Sequence, residues 1–217
     1  MSAEQPCLKI AYWELDTPEF ATGLEIVQEA YEEAGICHKF LQIPYKRSEQ
    51  LLKDGTIDAD MWRLKEYTDT RLDWLVPIPE ALLETEVGIV FNTGSVDPNN
   101  LQKSLEGQSI GTILGTVQGD QFIQSMGARR VIVDDHKSLF FLLKNNRLKA
   151  AILSLPIFES LRAIHNIGPE VTSLVIQKSK VVHVLAKKHE HLVPRLNTAF
   201  QKVLKKRSFF DRTSPTN

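Results

Sequence analysis

The chain has 217 residues, 42% of them apolar and 24% charged, with a formal net charge of -1. That length suffices for one sizeable domain or two small lobes, and the composition is that of an ordinary globular protein. The charge balance excludes a global basic field for nucleic acid. No run approaches the roughly 18 consecutive apolar residues that a membrane-spanning helix needs. The first residues, MSAEQP, are polar and lack the apolar core of a secretory leader, which by itself leaves location open.

Cys7 to Trp13 reads as a buried strand ending in the aromatic pair Tyr12-Trp13. From Phe20 to Ala34 the apolar residues Leu24, Ile26, Val27, Ala30, Tyr31 and Ala34 recur at helical spacing, and Gly35 follows as a C-cap. His38 to Ile43 is a second strand, Ser48 to Lys53 a short helix, and Ile57 to Met61 a third strand reached through the turn Asp54-Gly55. This β-α-β-α-β order predicts parallel pairing with right-handed crossovers. The two cysteines, Cys7 and Cys37, each precede a strand. If those strands are parallel neighbours, a disulfide between them is geometrically possible and would imply an oxidising compartment; the alternative is two buried, inert thiols. Neither cysteine has the partners a metal site needs.

Ala81 to Asn92 is long and extended, and a second α/β run follows it. Strands are predicted at Gln108–Ile113, Arg130–Val133, Ala150–Leu153, Val171–Ile176 and Val181–Ala186. Helices are predicted at Val117–Met126, His136–Asn145, Pro156–Ile164 and Glu190–Lys206, the last with Leu192, Leu196, Ala199, Phe200, Val203 and Leu204 on one face. Two α/β lobes emerge, residues 1–88 with 187–217 and residues 89–186. The chain passes between them twice, an arrangement that favours a small ligand in an interlobe cleft.

Open α/β sheets present their ligands at the carboxyl ends of strands. Tyr12 and Trp13 end the first strand, Tyr45 follows the second, and Trp62-Arg63 ends the third. Arg63 suits bidentate pairing with a carboxylate or other anion, against the alternative of a surface salt bridge, for example to Glu66. Trp62 alternates with Arg63, so either ligand contact or core packing fits it. Arg71 serves either as a second carboxylate grip or as a loop brace. Gly115, Thr116 and Val117 form a strand-to-helix turn whose free N–H groups suit an anion, unless Thr116 is an ordinary N-cap. Gln118 in the first helical turn and Ser154 after the Ala150 strand complete the candidate polar contacts. No P-loop, nucleophile elbow or Cys–His pairing is present, and no cofactor is implied.

Several short motifs occur in a telling order. They are Gly23-Leu24-Glu25-Ile26, Pro44-Tyr45-x-Arg47, Asp54-Gly55-x-Ile57-Asp58-Ala59, Thr70-Arg71 before Leu75-Val76-Pro77, Leu105-Glu106-Gly107-Gln108-Ser109-Ile110-Gly111 with Gly115-Thr116 after it, and Asn146-Arg147-Leu148-Lys149-Ala150-Ala151. Together, across residues 7 to 206, they resemble the extracellular solute-binding proteins that serve polar amino-acid and related ABC transporters. The resemblance implies the class II periplasmic-binding-protein fold and no enzyme activity. It further implies a periplasmic monomer that captures a small polar or anionic, carboxylate-bearing solute and delivers it to a transporter permease. A ligand-sensing domain of a membrane receptor is the nearest alternative, and an enzyme on the same fold a more distant one. Four positions depart from the family's amino-acid handles. Trp62 and Arg63 stand where small hydroxyl residues are usual, Ser154 where an Asp is usual, and Val117 where a Thr is frequent. The amino-acid ligand therefore does not follow from the resemblance.

Overall fold

The computed structural model describes residues 6–13, 18–114, 116, 117 and 119–207. In chain order the elements are β1 Leu8–Tyr12, α1 Pro18–Glu33, β2 His38–Gln42, α2 Tyr45–Lys53, β3 Ala59–Leu64, α3 Lys65–Asp69 and β4 Leu75–Asn92. They continue with α4 Leu101–Leu105, β5 Ser109–Ile113, α5 Asp120–Ser125, β6 Arg129–Val133, α6 His136–Lys144, β7 Ala150–Ser154, α7 Leu155–Ile164, β8 Val171–Ala186 and, after a 3-10 turn, α8 Val193–Lys206. The chain divides into two compact units. Unit 1 is the chain up to Glu84 together with the chain from Lys180 onward, and unit 2 is Thr85–Ser179. The long strands β4 and β8 carry the chain through both boundaries. The sequence reading placed these passages at residues 88 and 187.

In unit 1, β1 pairs in parallel with both β2 and β3, and β8 closes against β3 in antiparallel fashion. Helix α1 buries Ile26, Val27, Ala30 and Tyr31, the stripe its spacing predicts. That face meets Leu196, Ala199, Phe200 and Val203 of α8 in one core with Ile10, Ala59, Met61 and Leu185 of the sheet. Each fully buried Val, Leu, Ile, Met or Phe side chain among them contributes roughly 1.5–3 kcal/mol. Pro194 sits in the first turn of α8, where its missing N–H costs no hydrogen bond, and the helix therefore starts later than the predicted Glu190.

The register of β1 on β2 puts Leu8 opposite His38, so the preceding residues, Cys7 and Cys37, are opposite one another too. They are joined as a disulfide, with Cα atoms 4.5 Å apart. A second tie is polar. His183 of β8 lies fully buried between the Tyr31 hydroxyl and the Met61 carbonyl, each at 2.9 Å. The carbonyl can only accept, so Nδ1 carries the proton and Nε2 accepts from Tyr31. Burial pushes the imidazole pKa down to about 4 and the Tyr31 phenol well above its ordinary value.

In unit 2 the strand order is β4-β7-β5-β6, with β5 parallel to both neighbours and β7 antiparallel to β4. Leu139, Phe140 and Leu143 of α6 pack with Phe158 and Leu161 of α7 and with Val90, Ala151 and Leu153 of the sheet. Asp135 caps α6 by accepting from the Ser138 N–H at 2.7 Å. A side chain at Gly111 would meet Leu139 and Leu148 at 2.5 and 2.6 Å, so this glycine sets how closely β5 can approach its covering residues. Two strands expected near the chain's end are one continuous strand, β8. Likewise β4 begins at Leu75, ahead of the predicted Ala81, and runs through Pro77 and Pro79. Among the described residues no helix is long and apolar enough to cross a membrane.

Two stability measurements test this account. Replacing Cys7 and Cys37 together by Ser frees a loop spanning 30 positions, and should lower unfolding free energy in urea by about 3–4 kcal/mol. The His183 effect has a definite sign. Its folded pKa lies below the ordinary imidazole value of 6.5, so the unfolded chain binds the extra proton first. The stabilisation is therefore complete above pH 6.5 and falls away as pH drops toward 4. A His183→Gln variant, less stable at pH 7.5, should show a flatter stability profile across that window in pH-dependent chemical denaturation.

Candidate functional site

The carboxyl ends of β1, β2 and β3 deliver three of the residues singled out from sequence: Trp13, Tyr45 and Arg63. A β-bulge positions the last of them. On β3, Asp60 faces Val184 of β8 and Arg63 faces Val182, so three steps on one strand match two on the other. The extra residue resets the side-chain alternation and lets Asp60 and Arg63, which strict alternation would send to opposite faces, meet. Arg63 Nη2 donates to Asp60 Oδ2 at 2.6 Å and Nε donates to the same oxygen at 3.1 Å. Nη2 also lies 3.1 Å from the Tyr45 carbonyl and 2.5 Å from the Ser48 hydroxyl, so its two N–H groups are shared among three acceptors. The Ser48 oxygen is 2.8 Å from both Asp60 Oδ2 and the Tyr45 carbonyl, and its single proton serves one of them. Arg63 is 2% exposed and Asp60 1%, so the partner is this buried carboxylate and the pair is no surface bridge to Glu66. Burial pushes the guanidinium pKa down; the Asp60 carboxylate more than offsets that, and the net shift is above the ordinary arginine value.

Aromatic rings and cations alternate around this pair. Trp13 stands edge-on to Tyr45 with centroids 5.4 Å apart. The Arg63 guanidinium carbon lies 3.7 Å from the Tyr45 centroid and 4.6 Å from that of Tyr67, and Arg71 lies 4.0 Å from the other end of the series at Tyr67. Arg71 is held by Glu49 at 3.0 Å, by the Tyr67 carbonyl at 3.2 Å and by the Thr70 hydroxyl at 2.8 Å. Two arginines thus face two carboxylates, and the series carries no net formal charge. Burial raises the Tyr67 phenol pKa, keeping it protonated. Four buried polar atoms of the group have no hydrogen-bond partner among the described residues: Trp13 Nε1, Asp60 Oδ1, Arg63 Nη1 and the Tyr67 hydroxyl. Native interiors seldom leave such atoms unused, and four together mark the group as a polar-ligand candidate.

Tyr12 and Trp62 sit elsewhere. Tyr12 packs beside Phe20 and Phe40, and Trp62 stands edge-on to Phe20 with centroids 5.4 Å apart. Both pack against the unit 1 core.

In unit 2, α5 starts at Asp120, and Gly119 occupies its N-cap position with φ of 73°. The expected helix start at Val117 and the N-cap role for Thr116 are therefore corrected. The Thr116 hydroxyl donates back to the Ile113 carbonyl at 2.7 Å. Val117 follows it, half-buried, in the same turn. Gly115 and Gln118 lie outside the described residues. Arg130 braces this turn: its Nε donates to the Thr112 hydroxyl at 2.7 Å, it donates to the Thr116 carbonyl, and it pairs with Asp120 at 2.9 Å. Ser154, 7% exposed, shares a hydrogen bond of 3.0 Å with Thr85. No group of three or more His, Cys, Asp or Glu placed to hold a metal occurs among the described residues.

Sequence reasoning did not single out Tyr67, Ser48 or Arg130, and it left Asp60 unassigned. One signal was available: Arg63, Tyr67 and Arg71 are spaced four apart, which stacks them once the chain turns helical after β3.

No family model matches this sequence, and no curated protein matches it. Solved structures do match in fold. An ancestral arginine-binding protein bound to glutamine aligns with a TM-score of 0.74 at 16% identity, covering 96% of each chain. AbpA of Streptococcus pneumoniae, an amino acid ABC transporter substrate-binding protein bound to L-arginine, aligns at 0.71 and 14%, covering 92% of this chain and 89% of that one. The periplasmic VFT2 domain of Bordetella pertussis BvgS aligns at 0.69 and 14%, covering 92% of each. The chain has the class II periplasmic-binding-protein fold: two α/β units joined by two strand crossings.

Breaking the ion pair from one side tests its geometry. Arg63→Met leaves Asp60 buried and uncompensated, and should cost about 3–5 kcal/mol in urea unfolding. Adding Asp60→Leu to that variant should restore most of the loss, a coupling that a double-mutant cycle reads directly.

Proposed function

We propose that this chain is a solute-binding protein that captures one small polar solute and hands it on without chemistry. The observation that carries the reading is the series Trp13-Tyr45-Arg63-Tyr67-Arg71, with its four unspent polar atoms at the carboxyl ends of β1 to β3. Arg63 Nη1 offers a donor to a carboxylate, while Asp60 Oδ1 offers an acceptor to an ammonium or amide N–H. Because Asp60 already cancels the Arg63 charge, the best ligand is a carboxylate-bearing solute that also carries a positive or N–H-rich group. A bare anion would meet the Asp60 charge without compensation. Both carboxylates of the series are committed to arginines, which leaves no acid or base poised for turnover.

The fold's likeness to an amino acid ABC transporter substrate-binding protein supports delivery to a transporter permease, by a monomer that needs no cofactor. The Cys7–Cys37 disulfide supports a periplasmic or other oxidising location. In unit 2, Thr116, Val117 and Ser154, with Gly115 and Gln118, are proposed as ligand-contacting residues of that unit taken by itself. Tyr12 and Trp62 would shape the site from the core side. A second reading, the sensing domain of a membrane receptor, is favoured by the match to the BvgS domain along 92% of both chains.

Thermal unfolding with a solute panel tests the proposal. L-glutamine, neutral overall at pH 7, should be compared with L-arginine, which carries one net positive charge, and with succinate, which bears only negative charge. A matching zwitterion at a hundredfold its Kd stabilises by about 2.7 kcal/mol, equivalent to several degrees in Tm. The Arg63→Met/Asp60→Leu double variant should fold and lose that shift. A larger response to succinate than to any zwitterion, or an unchanged response in the double variant, would overturn the assignment.

A further inference from the structure

Unit 2 holds a cavity of about 260 Å³ lined by Ser95, Gln108, Ser109, Arg129, Asn146, Arg147, Leu148 and Lys149. It lies at the amino ends of β5, β6 and β7, whereas open sheets bind their main ligand at carboxyl ends. The register explains its lining. Ser109 pairs with Arg129 across β5 and β6, and on the other side the Lys149 N–H donates to the Ser109 carbonyl at 2.9 Å. Two cationic residues therefore flank one serine on adjacent strands. Arg147 joins them from the turn at Asn146, whose φ of 55° redirects the chain. The Asn92 amide fixes that turn by donating to Asn146 Oδ1 at 2.8 Å and to the Leu143 carbonyl at 3.0 Å.

The cations that line this cavity have no acid in its walls to match them. Arg63, Arg71, Arg130, Arg162 and Arg207 all have carboxylate partners. Arg129, Arg147 and Lys149 have none among the described residues, and the cavity lining contains no Asp or Glu. The Arg129 guanidinium donates to the Ser109 hydroxyl at 3.3 Å. The Ser95 hydroxyl is buried and has no hydrogen-bond partner among the described residues. Arg129 and Arg147 are exposed and Lys149 is half-buried, and three like charges lining one concavity favour a multivalent anion there.

We propose that this cavity is a second binding site, for a small multivalent oxyanion of the phosphate type, separate from the solute site of unit 1. Its volume lies just below the roughly 300–1,000 Å³ of typical ligand pockets, which fits a compact ion better than an extended molecule. Arg129 and Arg147 supply planar forks that match phosphate oxygens, and Lys149 supplies a point charge.

Isothermal titration with inorganic pyrophosphate, at ionic strength held constant with sodium chloride, tests this on the full chain. The expected result is a saturable one-to-one isotherm that weakens at least tenfold in Arg147→Gln/Lys149→Gln and in Arg129→Gln. Amide NMR should place the perturbed signals at Ser95, Ser109, Arg129 and Lys149. A Ser95→Ala variant, which removes a single hydroxyl, should weaken binding less and leave the fold intact. An isotherm that the glutamine variants leave unchanged would overturn the site, as would pyrophosphate indistinguishable from chloride, or signals shifting elsewhere.

Discussion

A guanidinium that is 2% exposed is accommodated here because a carboxylate lies 2.6 Å away. Moving either ion from water into a protein interior costs several kcal/mol, and their attraction returns that only in good geometry. The bulge in β3 supplies the geometry, and Ser48 and the Tyr45 carbonyl share the remaining hydrogen bonds. Everything proposed for the unit 1 site follows from this pairing. It packs Arg63 against the faces of Tyr45 and Tyr67, spends one oxygen and two nitrogens, and leaves one oxygen and one nitrogen unspent.

That neutrality also sets the chemistry of recognition. A free arginine at a strand end selects for negative charge. An arginine already matched by an aspartate selects for shape and for paired hydrogen-bonding groups, because a net charge on the ligand would go uncompensated. The cavity at the other end of the unit 2 strands has the opposite character, with three cations and no acid in its walls. The chain's overall charge of -1 conceals both facts, since it averages a neutral buried cluster with a local positive concentration.

Unit 1 is further tied by groups far apart in sequence. The disulfide joins the starts of β1 and β2, and His183 joins α1, β3 and β8 through Tyr31 and the Met61 carbonyl. These ties are made where strands begin and in the sheet interior, so the loops at the strand ends remain the place where the site is built.

Periodicity and turn residues determined much of the architecture from sequence alone. The apolar spacing of α1, α6 and α8 marked their buried faces, and the β-α-β-α-β order marked parallel pairing in unit 1, because these patterns depend only on 3.6- and 2-residue repeats. Trp13, Tyr45 and Arg63 were marked as strand-end residues by the same logic. The extent of β4 and β8 was not legible, since prolines and polar residues inside them read as breaks until both strands are seen to run through. Nor was the late start of α5, which a left-handed glycine and the Arg130 brace decide. Above all, strict alternation sends Asp60 and Arg63 to opposite faces. Only the partner strand β8, more than a hundred residues away, imposes the bulge that brings them together, and no local pattern encodes a register between distant strands.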